Sequence, residues 1–170
     1  STLSTINKQT GRLISDFYIL FGETTYINMG ILGILATLFV VLIGGDLNGA
    51  TICGIFTIIG FGAFGKNIKN TIPVVIGASI AALFVQMEVQ NSLWFQLYLV
   101  LLSILFSTTL APICGKFGWK YGILAGVIHV NIVTNIGYLH GGLNLYNNGL
   151  AGGFVAMILI PLITTFKKEI

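Results

Sequence analysis

Apolar residues in this chain come in six long runs, covering about 27–44, 48–65, 71–87, 93–113, 119–138 and 148–166. Each approaches the ~17–25 residues that an α-helix needs to cross a hydrocarbon layer. None has an acidic or basic residue in its middle, so nothing within the runs resists burial in lipid. The pattern predicts an all-α, polytopic membrane helix bundle of about six transmembrane helices over residues 27–166. Ahead of it, Leu13, Ile14, Phe17, Tyr18, Leu20 and Phe21 recur at helical spacing, with Lys8, Arg12, Asp16 and Glu23 between them. That reads either as an amphipathic helix lying at the membrane interface, making residues 1–26 an N-terminal interfacial segment, or as the end of a helix that starts further upstream. Residues 167–170 form a short charged tail.

Composition strengthens the membrane reading. Hydrophobic residues make up 55% of the chain and charged residues only 8%, against about a quarter charged in soluble domains. The 22 glycines suit close packing of membrane helices. Charge placement gives a topology. If every run crosses once, all eight Lys and Arg fall on one side, and only Asp46 and Glu88 fall on the other. The cytoplasmic bias of basic residues then puts both termini in the cytoplasm. Trp119, Tyr121 and Tyr26 fall near the inner boundary and Trp94, Tyr98, Tyr138 and Tyr146 near the outer one, as interfacial aromatics should. A net charge of +3 is too small and too dispersed to imply a nucleic-acid partner. Cys53 and Cys114 form no CxxC, and this topology sets them at opposite faces. The chain opens with Ser-Thr-Leu and shows no cleavable leader pattern, and the missing Met points to a longer chain upstream.

The first and last pairs of runs resemble each other. Gly30 opens G-I-L-G-I-L-A and Gly44 opens G-G-D-L-N-G-A-T-I-C-G; Gly122 opens G-I-L-A-G-V and Gly141 opens G-G-L-N-L-Y-N-N-G-L-A-G-G. A three-residue insertion, Leu145 to Asn147, brings them into register. An internal duplication in parallel orientation is one explanation, and transport proteins often place their substrate site where repeats meet. Chance similarity between Gly-rich stretches is the other.

Few residues offer chemistry. Asn48-Gly49 and Asn148-Gly149 each open an apolar run. Asn caps helix N-termini and Gly permits a sharp turn, so each pair predicts a helix start whose free amides and positive dipole end face a shared site. Ordinary capped turns at the lipid boundary are the plainer reading. The stretch Gly137 to Gly149 carries His140, Asn144, Asn147 and Asn148 without a charge, and reads as a solute-lining outer loop or as a simple connection. In the fifth run Asn131, Thr134, Asn135 and Tyr138 share one helical face, which should turn toward the bundle, as interhelical glue or as the lining of a wet path. His129 lies about 200° round the same helix from Asn131, near mid-membrane, where an ionisable group suggests a proton relay or a solute contact. His129 and His140 cannot alone hold a metal, and no P-loop, G-x-S-x-G, dinucleotide fingerprint or H-E-x-x-H occurs, so no metal or cofactor is expected. Gly122 with Gly126, and Gly149 with Gly153, are spaced to let helices approach closely.

Three stretches carry a family resemblance: L-N-G-A-T-I-C-G-I-F-T-I-I-G-F-G-A-F-G-K-N-I-K-N from Leu47, L-A-P-I-C-G-K-F-G-W-K-Y-G-I-L-A-G from Leu110, and H-G-G-L-N-L-Y-N-N-G-L-A-G-G-F-V-A from His140. Over roughly 27–166 the chain resembles the bacterial multipass membrane family known as domain of unknown function 1576. The resemblance implies no activity and no catalytic residue. More loosely, Asn48-Gly49 and Tyr146-Asn147-Asn148-Gly149 resemble the G-Y-N-G motif of urea channels, whose Asn-Pro element is absent here.

These features predict a transporter or channel component for a small polar or neutral solute, whose path runs between the two Asn-Gly helix starts. Asn48, Gly49, Asn148 and Gly149 lead the site, followed by His129, Asn131, Thr134, Asn135, His140, Asn144 and Asn147. No acidic or basic residue is expected buried in the spans, which favours a neutral solute over an ion. The expected partners are the lipid bilayer, a second copy of the chain, or an upstream half of a longer one. An intramembrane enzyme using His129 or His140, and a structural subunit without transport, are the competing readings.

Overall fold

The computed structural model describes residues 2–88, 93–140 and 144–166, and all regular structure among them is helical. In chain order the helices are α1 (Leu3–Ile6), α2 (Phe17–Phe21), α3 (Thr24–Leu42), α4 (Gly49–Phe61), α5 (Ile68–Glu88), α6 (Leu93–Ser107), α7 (Ala111–Phe117), α8 (Trp119–Asn135) and α9 (Asn144–Phe166). Short 3-10 turns at Thr108–Leu110 and Gly137–His140 complete the chain. Trp94, Tyr98 and Tyr146 have side chains outside this description.

Each apolar run became a helix, but of unequal length. Three stretches among the described residues are long and apolar enough to cross a membrane: Thr24–Leu42, Leu99–Phe117 and Asn147–Phe166. Gly49–Phe61 and Ile68–Phe84 are apolar but shorter. At 1.5 Å per residue, α4 reaches only about 20 Å, short of the ~30 Å hydrocarbon layer. The Leu99–Phe117 stretch is mostly buried, while α3 and α9 turn most of their apolar surface outward, as at Leu42, which is 82% exposed. Such an outer surface is compatible with a membrane protein, in which lipid covers what water would not.

Packing follows the small residues. The most extensive seam joins α5 and α8. A Cβ on Gly77 would strike the Ile123 carbonyl, and one on Gly126 the Val74 carbonyl, so these two backbones touch directly. Ala78, Ala81, Ala82 and Ala125 keep the rest of that seam narrow. Gly122 meets Cys114 and Pro73, so the Gly122/Gly126 spacing acts as expected. Gly149 and Gly153 do not: no neighbour comes within 4 Å of a Cβ at either. A second apolar cluster ties the hairpin α3–α4 to α6 through Leu32, Val40, Ile55, Ile58, Leu101 and Leu105. Gly118, with φ +107°, makes the single-residue reversal between α7 and α8.

The N-terminal residues are not one amphipathic helix. Two short helices flank an irregular strap that is anchored by the buried side chains of Ile6 and Phe17. Hydrogen bonds explain the departure. Asn67 Nδ2 donates to the carbonyls of Ile6 and Gln9, and the Phe17 amide donates to the Ala63 carbonyl at 2.9 Å. Gly11 and Gly65, both at positive φ, let the strap lie directly on the loop that precedes α5. Bonding partners elsewhere in the fold thus outcompete the strap's own helical ones.

Candidate functional site

The loop 62–67 is the polar hub of the molecule. Asn28 on α3 donates to the carbonyls of Gly62 and Lys66, at 2.7 and 2.9 Å. Asn67 and Asn70 cap the start of α5 reciprocally, each side-chain oxygen accepting from the other's amide. Held this way, Lys66 turns inward. It is only 7% exposed, and its Nζ donates to the Thr108 hydroxyl at 2.7 Å while sitting 5.0 Å from the centre of the Phe61 ring. Burial brings its pKa down from 10.5 to about 7. Lys66 belongs to the loop between two apolar runs, and its ammonium turns inward to meet Thr108 in the Leu99–Phe117 stretch.

Thr108 is available because the helix breaks there. Pro112 in the first turn of α7 has no amide to give the Thr108 carbonyl, which takes the Ala111 amide instead. The Ser107 and Thr108 hydroxyls bond back to Ile104 and Leu105, which loosens the helix further.

Beside this break lies a cavity of about 400 Å³, walled by Thr57 and Phe61 of α4, Lys66, Thr109, and Asn148 and Gly149 of α9. Aromatic and aliphatic side chains, including Phe64 and Phe106, make most of the remaining wall. The lining holds no carboxylate among the described residues. Behind Asn148, the fully buried His129 donates from Nε2–H to the Asn148 Oδ1 at 3.0 Å. This fixes the His tautomer, since an amide oxygen can only accept. His129 is not a wall residue of the cavity; it positions one.

The two Asn-Gly pairs have parted company. Asn48 is a true N-cap: its side chain accepts from the amides of Ala50 and Thr51 at 3.1 and 3.2 Å, and Thr51 returns a bond to its amide. Asn48 and Gly49 are exposed on the α3–α4 loop and do not line the cavity. Asn148 is not an N-cap. The helix starts earlier, at Asn144, and carries Asn148 and Gly149 into its second turn. The expectation of two equivalent helix starts facing one site is therefore corrected. Of the sequence-predicted residues, Asn148 and Gly149 reach the cavity and His129 supports it.

The polar stripe on α8 also faces the other way. Asn131, Thr134, Asn135 and Tyr138 are exposed on the surface of this chain. Asn131, Thr134 and Asn135 are satisfied within their own helix, by the carbonyls of Val127, Val130 and Asn131. Asn147 is buried and lies beside Gly137. The side chains of His140 and Asn144 lie outside the described residues. Much of the expected outer loop, Gly137 to Gly149, is instead 3-10 turn and helix.

A family model described as "Protein of unknown function (DUF1576)" matches residues 1–165. No curated protein and no solved structure matches the chain.

Proposed function

The chain belongs to the DUF1576 family, whose description assigns no activity, and from that premise we propose that it is a membrane transporter or channel component for a small polar solute. The cavity between α4, the Thr108–Leu110 break and the start of α9 is its solute chamber. One observation carries the reading: Lys66 and Asn148, both buried, and Thr109 converge on one cavity. Burying an ammonium and a carboxamide among lipid-facing helices costs several kcal/mol unless partners or a wet cavity compensate. The Thr108 hydroxyl and His129 partner these two groups and hold them at the cavity wall, where a solute can meet them.

The chemistry of the wall suggests the solute. Lys66 and Thr109 can donate to a carbonyl or hydroxyl oxygen. Asn148 is fixed by His129, so it adds specificity with little entropy to lose. The aromatic remainder suits a small solute that sheds water easily. His129 is sealed from the cavity, which disfavours acid–base catalysis there.

Stopped-flow swelling of proteoliposomes in urea, glycerol and formamide tests this. At least one solute should enter about tenfold faster than in protein-free vesicles. Asn148→Leu and Lys66→Met should remove most of that gain, while Asn48→Ala should keep it. Entry no faster than in protein-free vesicles for all three solutes would refute the transport reading. Wild-type flux in both cavity variants would move the path elsewhere.

A further inference from the structure

A second cavity, of about 320 Å³, lies at the end of the molecule where α5 begins and α7 turns into α8. Three separate parts of the chain wall it: the strap near Asn7 and Gln9, the start of α5, and the Gly118 reversal. Each part contributes one lysine, Lys8, Lys69 and Lys116 respectively, and no acidic residue is in the wall among the described residues. Three like charges around one concavity give it a positive potential, which salt screens in part.

The fold enforces the convergence. Asn67 Nδ2 donates to the Ile6 and Gln9 carbonyls, and Asn70 Nδ2 to the Thr10 carbonyl, fastening the strap that carries Lys8. A Cβ on Gly115 would collide with the Thr10 carbonyl, so the strap also lies directly on α7. The fold therefore holds three lysines around one concavity, whose positive potential favours an anion. Trp119 stands exposed at the rim, and Trp favours the headgroup level of a membrane.

We infer that this cavity binds a phosphate group, whether on an anionic lipid headgroup at the membrane surface or as free phosphate. Lysine is a point-charge donor suited to phosphate oxygens, and three of them match an anion with several acceptors. The site is independent of the solute chamber and of any transport activity.

Thermal unfolding of the full chain in a zwitterionic detergent, titrated separately with short-chain phosphatidylglycerol, phosphatidylcholine and inorganic phosphate, tests the inference. Phosphatidylglycerol should raise the Tm saturably and phosphatidylcholine should not. Each of Lys8→Gln, Lys69→Gln and Lys116→Gln should weaken the apparent affinity about fivefold. Lys120→Gln, which removes the same charge from beside Trp119 but outside this wall, should weaken it less than any of the three. A saturable shift with inorganic phosphate, lost in the same three variants, would assign free phosphate as the ligand. The inference fails if neither phosphate species shifts the Tm, if the three variants bind like wild type, or if Lys120→Gln weakens binding as much as they do.

Discussion

Lys66 and Thr108 lie 42 positions apart in sequence and 2.7 Å apart in space, the lysine ammonium donating to the threonine hydroxyl. This bond joins the loop before α5 to the break between α6 and α7, and it turns inward a cation that lies between two apolar runs. The pKa of about 7 follows from the burial.

The sign of its pH effect follows directly. The folded pKa lies below the ordinary 10.5, so between about pH 7 and 10.5 the unfolded chain binds more protons than the folded one. Stability contributed by this site therefore rises with pH across that window, by up to about 1.4 kcal/mol per unit, and the full penalty remains below pH 7. Lys66→Met should flatten this part of the profile and should raise the Tm at pH 6.5 relative to wild type. Unfolding curves in detergent from pH 6.5 to 10 measure it. An unchanged slope would mean that the ammonium reaches water.

His129→Leu should destabilise the fold by about 1–3 kcal/mol, because Asn148 Oδ1 loses a buried donor. A double-mutant cycle with Asn148→Leu should show coupling of at least about 0.5 kcal/mol. Additive losses in SDS-induced unfolding would mean that the bond adds nothing to the positioning of Asn148.

The glycines divide into two classes. Gly126→Leu should cost more than about 3 kcal/mol or prevent folding, because its side chain would meet the Val74 backbone. Gly153→Ala should be neutral or stabilising by up to about 1 kcal/mol, since open space surrounds it and Ala is the better helix former. Folded yield and Tm in one detergent separate the two.

Asn48→Ala should lose about 1 kcal/mol through the missing helix cap and leave solute flux intact. Asn148→Leu should do the reverse in flux. Together they separate two sequence-identical dipeptides by environment.

How far the sequence foretold this fold depends on which signal was read. The apolar runs gave the helices, because burial in a bundle and burial in lipid demand the same long hydrophobic stretches. Side-chain direction was harder. Asn131, Thr134 and Asn135 looked too polar to face outward, yet each bonds a carbonyl on its own helix, which removes most of the cost of exposure to lipid. Asn148 resembled a cap because Asn-Gly so often ends a loop. The helix had already begun at Asn144, and the partner that defines Asn148 sits 19 positions earlier. Lys66 directly follows the second apolar run, a position where lysines usually mark the end of a span. The clue lay beside it, in the Asn67-x-x-Asn70 spacing, which is a helix-start signature and fixes the loop that turns Lys66 inward.

The seam between α5 and α8 limits how this molecule can move. At Gly77 and Gly126 the two helices touch main chain to main chain, with no side chain whose rotamer could switch and let them slide. Any change of shape that admits a solute must treat that pair as stationary. On the proposed transport reading, the displacement would fall instead on the α3–α4 hairpin, which meets α6 through Leu, Ile and Val side chains that can repack.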